Sequence, residues 1–199
     1  MISVDIEEKA IGATRVLGKV AFDLARGDVL AVVGPSGVGK TTLLRLLAGL
    51  DTNFKGRIAV PDRRAMVFQE PALLPWRSSL ENLTLVTGTD EAVARAMLDQ
   101  VGLFGLDARF PRQLSLGQQR RLSLARAFSA EPDMLLMDEP FVSLDPELVD
   151  EMLDLTERLL RDRPMVTVFV THAMAEAKRL ATRIVRLTGT PATLENVAY

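Results

Sequence analysis

The chain contains no cysteine, which excludes disulfides, thiolate catalysis and cysteine-held metals. An excess of one charge sign is also missing. A net charge of −2 over 199 residues provides no basic field to attract nucleic acid or an anionic membrane surface. No apolar run approaches the length needed to span a membrane. Residues 1–8 carry acids where a signal peptide would be basic and then apolar. Internal repeats and low-complexity tracts are absent as well. The expectation is a cytoplasmic protein that reaches a membrane only through a partner. What remains is 48% hydrophobic and 25% charged, the composition of a soluble globular protein, with length for one domain or for one domain with an insertion.

Against that background, residues 34–41 read GPSGVGKT and fit the pattern G-x-x-x-x-G-K-[ST]. An apolar run at 28–33 precedes them and a helix-like run at 42–47 follows, so the context is strand, glycine loop, helix. The glycines let the backbone turn successive N–H groups toward one anion, and the new helix adds its positive end. Lys40 is placed to bridge outer phosphates as a point charge, and the Thr41 hydroxyl to join a Mg²⁺ shell. A glycine-rich turn that merely joins two elements is the plain alternative; the flanking strand and helix decide against it. The phosphate-binding set is therefore Gly34, Pro35, Ser36, Gly37, Val38, Gly39, Lys40, Thr41 and Thr42.

Short apolar runs alternate with helical patterns, as a mostly parallel sheet requires. Strands are predicted at 28–33, 65–68, 134–137, 165–170 and 184–187. The alternating segments 2–6 and 20–24 read as half-exposed antiparallel strands at one edge. Asp145 followed by Pro146 starts a helix whose apolar stripe is Leu148, Met152, Leu155 and Leu159. Strand signals vanish between about 71 and 128, where helices are predicted at 90–101 and 118–128. The fold class is α/β: a P-loop NTPase core of mostly parallel sheet with antiparallel edge strands, flanked by helices. Residues 1–70 and 129–199 are assigned to this nucleotide-binding core, and 71–128 to a helical subdomain inserted in it.

The run 134–137 empties into Asp138 and Glu139, acids at the carboxyl end of a parallel strand, where ligands bind. Asp138 suits a Mg²⁺ shell. Glu139 suits a general base that polarises the attacking water. Read alone, Asp-Glu-Pro is an acidic turn; beside a phosphate loop, the metal and base roles lead. Gln69 can hold Mg²⁺ or water through its side-chain carbonyl, or be a solvated strand-end residue. His172, the only histidine, follows a strand and would by itself read as a helix-start residue. Ser115 and the Gly117 amide open a helix and form a second anion site, or simply a capped helix. Arg120, Arg121 and Arg126 on that helix read as a solvated face with no nucleic-acid role.

The segment LSLGQQRRLSLARA at 114–127, followed by MLLMDEP at 134–140, resembles the signature of ATP-binding cassette ATPases. Phosphate loop, Gln69, signature, paired acids, Ser143-Leu144-Asp145 and Thr171-His172 occur in the family's order, over about residues 16–187. The resemblance implies an ATPase that binds ATP with Mg²⁺, with Glu139, His172, Gln69 and Lys40 as catalytic residues and Thr41, Gln69 and Asp138 as metal ligands. It implies that Ser115, Gly117 and Gln118 bind the γ-phosphate of nucleotide held by a second copy, in a head-to-tail dimer. It also implies that Gln69 and His172 sense that phosphate. Residues 67–77 look like the nitrate/sulfonate/taurine branch of bacterial import ATPases. That implies transmembrane permease subunits docked near Leu73, Leu74 and Trp76, a solute-binding protein engaged indirectly, and a peripheral position on the cytoplasmic face of the membrane. No nucleic-acid partner is expected.

Two residues depart from the family pattern. Ile11 stands where an aromatic usually stacks on adenine, and the only tyrosine is Tyr199. Ile11 and Val16 would hold the base by apolar contact alone, so weak discrimination between ATP and GTP is expected. Leu116 replaces a glycine of the signature and must point away from the phosphate. The link from Lys40 to Gln69 is shorter than in most relatives, and no regulatory domain is expected beyond the strand at 184–187. Three other classes are weighed against a transport ATPase. A cassette ATPase of DNA repair or translation would carry long coiled coils or two cassettes. A small-molecule kinase needs an acceptor pocket and lid. A regulator that no longer hydrolyses would lack turnover.

Overall fold

The computed structural model describes residues 1–197, so Tyr199 lies outside the described residues. Along the chain run β1 (Ile2–Ile11), β2 (Thr14–Leu17), β3 (Val20–Leu24), β4 (Val29–Val33), α1 (Lys40–Ala48), β5 (Lys55–Ala59) and β6 (Arg64–Val67). They are followed by α2 (Ser79–Thr87), α3 (Glu91–Gln100), a 3₁₀ turn (Pro111–Gln113), α4 (Leu116–Ser129), β7 (Met134–Asp138) and α5 (Pro146–Asp162). The chain closes with β8 (Val166–Thr171), α6 (Met174–Leu180), β9 (Arg183–Gly189) and β10 (Ala192–Asn196). By their contacts these elements form two compact units. One comprises residues 1–66, 133–139 and 164 onward; the other comprises 67–132 and 140–163.

The first unit is built on a sheet in the order β3-β1-β2-β10-β9-β4-β8-β7-β6, with β5 also paired to β1. Its centre is parallel: β4 pairs with β8 and β9, and β7 with β8. Every residue of β4, β7 and β8 is buried, which is why these strands appear in the sequence as unbroken apolar runs. At the antiparallel edge, β1 and β3 alternate buried and exposed residues, so one face carries Ile2, Val4, Ile6, Val20, Phe22 and Leu24 into the core. Leu43, Leu44, Leu46 and Leu47 of α1 pack into the same cluster with Leu30, Val32, Leu136 and Val168. The predicted strands are all present. β2, β5 and β10, which no pattern announced, are short and lie toward the antiparallel side.

The second unit is helical; apart from Val67, the end of β6, it has no strand residue among those described. The predicted helices at 90–101 and 118–128 are α3 and α4. The structure adds α2, whose start is closed by Ser78 and Glu81: the Glu81 amide donates to the Ser78 hydroxyl and the Ser78 amide to the Glu81 carboxylate. Buried Asn82 ties the preceding loop down, accepting from the Leu74 amide and donating to the carbonyls of Leu74, Arg77 and Ser78. α5 buries Met152, Leu155 and Leu159 of its predicted stripe, together with Leu153 and Thr156, while Leu148 is only half-buried. The sequence reading kept residues 140–163 with the core. By contacts they group with the helical unit, through α5 against α4.

Candidate functional site

Within the first unit, strand register brings three loops to one edge. Val33 at the end of β4 lies opposite Thr171 of β8, and Asp138 at the end of β7 opposite Val170. The glycine loop, the acid pair and His172 therefore emerge side by side at the carboxyl ends of parallel strands. Gly39 caps α1 at φ 110°, a conformation that disfavours any side chain. A β-carbon there would also come within 3.0 Å of Val16 and 2.9 Å of Leu17. At Gly34 it would meet the Leu187 carbonyl oxygen at 2.6 Å. The tight curl of this loop is thus enforced by what packs beneath it, and half-buried Val16 sits against the loop. Pro35, Ser36 and Gly37 are exposed, Gly34, Val38 and Thr42 half-buried, and Lys40 buried.

Lys40 is 4% exposed, and its ammonium donates to the carbonyls of Gly34 at 2.9 Å and Pro35 at 3.0 Å. Its third neighbour is the Glu139 Oε1, 3.2 Å away. The other oxygen of Glu139, Oε2, lies 3.2 Å from Nδ1 of His172. Glu139 therefore stands between a fixed cation and an imidazole, and it does so from a left-handed backbone with φ 43°. A non-glycine residue in that region costs of order 1–3 kcal/mol and persists where its surroundings hold it. Here the Glu139 amide donates to the Val170 carbonyl, tying the strained residue to β8.

Asp138 faces the other way. Its Oδ1 accepts from the Thr41 hydroxyl at 3.2 Å. Burial pushes its carboxyl above the usual carboxylate range, opposed by the Thr41 hydrogen bond, while Glu139 adds to the rise and Lys40 opposes it. A hydroxyl and a carboxylate offer two hard oxygen donors, which fit Mg²⁺, and a cation beside Asp138 would relieve the cost of burying its charge. Among the described residues no group of three or more acidic or histidine side chains could hold a metal by itself. The remaining ligands would then be phosphate and water oxygens, as is usual for Mg²⁺.

The other expected site residues belong to the second unit. Gln69 is exposed, and its backbone carbonyl accepts from buried Arg120, which also donates to the Val142 carbonyl at 3.3 Å. Ser115 caps α4: its hydroxyl accepts from the Gln118 amide at 3.2 Å, and the Gln118 side chain accepts from the Ser115 amide at 2.9 Å. Gly117 is packed so tightly on Leu148 that a β-carbon would lie 2.8 Å from it. Leu116 and Ile11 are exposed, as are Pro75 and Trp76, the last at 67%, whereas Leu73 and Leu74 are half-buried. The arginines correct the sequence reading of a solvated helix face. Arg126 donates to the carbonyls of Ala72 at 2.9 Å and Pro71 at 3.2 Å, and Arg121 pairs with Glu151. Burial lowers the pKa of both Arg120 and Arg126 below the ordinary arginine value. No local pattern marks such residues, because their partners are carbonyls of a loop some fifty positions away, 51 for Arg120 to Gln69.

The family model described as "ABC transporter" matches residues 17–142. The aliphatic sulfonates import ATP-binding protein SsuB of Mycobacterium sp. (strain MCS) is 46% identical over 186 residues, covering 90% of this chain and 76% of that protein. SsuB 2 of Burkholderia lata is 38% identical, covering 98% and 76%, and SsuB 1 of Pseudomonas syringae pv. tomato is 43% identical, covering 90% and 67%. Among solved structures, a transporter described as of the metal-chelate ABC type, in an inward-facing conformation, superposes with a TM-score of 0.86 at 30% identity, covering 98% of this chain and 82% of that one. An ATP-binding cassette solved as a dimer in a post-hydrolysis state, bound to ADP and Pi, gives a TM-score of 0.85 at 24% identity over the whole of both chains.

Proposed function

This chain belongs to the ABC transporter family, and from that premise we propose that it is the ATP-hydrolysing subunit of a solute importer, driven by head-to-tail closure of two copies over ATP. Binding and hydrolysis of ATP are the family's activity. The observation that best supports their assignment to particular residues is Glu139 held between Lys40 and His172, beside the Thr41–Asp138 pair. In this reading the amides of residues 36–41 and the Lys40 ammonium bind the β- and γ-phosphates, replacing the carbonyl partners that Lys40 holds here. Glu139 accepts a proton from the attacking water, and His172 steadies that water and the γ-phosphate. Thr41 and Asp138 would hold Mg²⁺, whose charge would offset that developing on the transferred phosphoryl group. Little covalent chemistry falls to the protein; positioning and electrostatics carry the rate.

Ser115, Gly117 and Gln118 are assigned to the γ-phosphate held by the other copy, and residues 71–128 to a signature-bearing subdomain. The permease subunits are assigned to the neighbourhood of Leu73, Leu74 and Trp76. Trp76, exposed two residues after half-buried Leu74, has the character of an interface anchor. Among the described residues no helix is long and apolar enough to cross a membrane, so attachment to the cytoplasmic face would rest on that contact. A solute-binding protein would act through the permease. The relatives named above import aliphatic sulfonates, which makes that class the first cargo to test. Turnover of MgATP should be measured on the chain with its co-purified membrane subunits, beside Glu139→Gln. The reading expects turnover in the parent and a loss of about 10²–10⁴-fold in the variant. A parent as inert as the variant would leave only a nucleotide-binding regulator.

A further inference from the structure

The turn that carries His172 is closed in an unusual way. A helix start needs partners for its first amides, and the residue at the cap normally supplies one. The cap of α6 is Ala173, which has no side chain able to do so. The hydroxyl of buried Thr171 takes the Ala173 amide instead, at 3.0 Å. That same hydroxyl donates its proton to the carboxylate of Glu176, five residues along the chain and in the first turn of α6. In an ordinary capping box a glutamate at this third helical position reaches the cap amide directly. Here the connection is relayed through Thr171, and His172 is the residue enclosed by it. His172 itself is otherwise exposed, with Glu139 as its side-chain partner.

We propose that Glu176 is a positioning residue for His172: through the Thr171 hydroxyl it locks the turn that bears the imidazole, and so keeps Nδ1 directed at Glu139. This rests on the reading of His172 and Glu139 as the groups acting at the γ-phosphate. Glu176 is half-buried; burial raises its carboxyl above the usual range, the Thr171 hydrogen bond and His172 oppose the rise, and Glu139 adds to it. The brace and the catalytic pair therefore share one electrostatic environment. A purely structural cap would serve as well with any residue that binds the Ala173 amide. A positioning role requires the Thr171–Glu176 link itself.

The sole histidine makes the test direct, because its ring signals need no assignment. The ¹⁵N shifts of the imidazole report which ring nitrogen carries the proton, and they are read on the nucleotide-free chain. The ring should favour the Nδ1–H form in the parent, in Glu176→Gln and in Thr171→Ser, all of which keep the link. In Glu176→Ala and Thr171→Val the two nitrogen shifts should move toward each other. With MgATP, the latter pair should lose about 10-fold in kcat with KM changed less than about 2-fold, and the conservative pair should stay near the parent. Unchanged ring signals in both link-breaking variants, or Glu176→Gln behaving as Glu176→Ala, would overturn the proposal. If the ring responds as expected while the parent hydrolyses no ATP, the positioning role stands and the catalytic reading of the site fails.

Discussion

Asp138 is a carboxylate in a place that disfavours its charge. Its pKa is raised in the folded chain, mainly by burial, so the folded state holds the proton more tightly than the unfolded state. The stability from that tighter hold is full below about pH 3.8 and is lost as pH rises through the higher folded value; at neutral pH the ionised group is a net cost. Asp138→Asn should therefore melt higher than the parent without nucleotide. It should also lose the additional stabilisation that Mg²⁺ gives in the presence of ATP. Thermal melts with and without Mg²⁺ check both halves, and a lower melting point in the variant counts against the account. Asp138, Glu139, Lys40 and Thr41 stand out in the sequence as short patterns at the ends of apolar runs, whereas His172 by itself reads as a helix start and was singled out only by the family resemblance. Arg120 and Glu176 were not legible. What gives them roles is a remote carbonyl in one case and a hydroxyl across a turn in the other.

At the scale of elements, legibility followed burial. β4, β7 and β8 are covered on both faces and read as continuous apolar segments, whereas β5, with the sequence KGRIA, exposes most of its residues and carries no such pattern. α2 did leave a trace, the Ser78-x-x-Glu81 box, but its buried set of Ser79, Asn82 and Leu83 gives no apolar stripe. α4 is the element where sequence reasoning went wrong, since a run of arginines signals a wet face. Arg120→Met removes the donors to Gln69 and Val142 and should cost about 2–3 kcal/mol in urea unfolding. Arg120→Lys should recover only part, because one ammonium cannot reproduce the guanidinium fork. A loss under about 0.5 kcal/mol would return Arg120 to the solvated face.

For the whole molecule, the overall fold and family were readable because six short motifs occur in one order along the chain. The contact-based grouping of residues 140–163 was not readable, since nothing local tells whether a helix such as α5 packs on a sheet or on another helix. The proposed dimer would be a property of two copies, and it predicts ligand-dependent assembly. Glu139→Gln should bind MgATP without consuming it, and should sediment as a dimer with MgATP but as a monomer without it. Ser115→Arg in the same background should abolish the dimer and leave nucleotide binding intact. A sedimentation coefficient that MgATP leaves unchanged would contradict head-to-tail closure.

The loop of residues 34–41 and the buried Lys40 are assigned the grip on a nucleotide's phosphates. Calorimetric titration of MgATP into the parent and into Lys40→Ala tests it most directly. Loss of one charge-assisted contact to phosphate is worth about 1.5–3 kcal/mol, so the variant should bind roughly 10- to 100-fold more weakly. Equal affinity in the two proteins, or no heat of binding in the parent, would contradict the account.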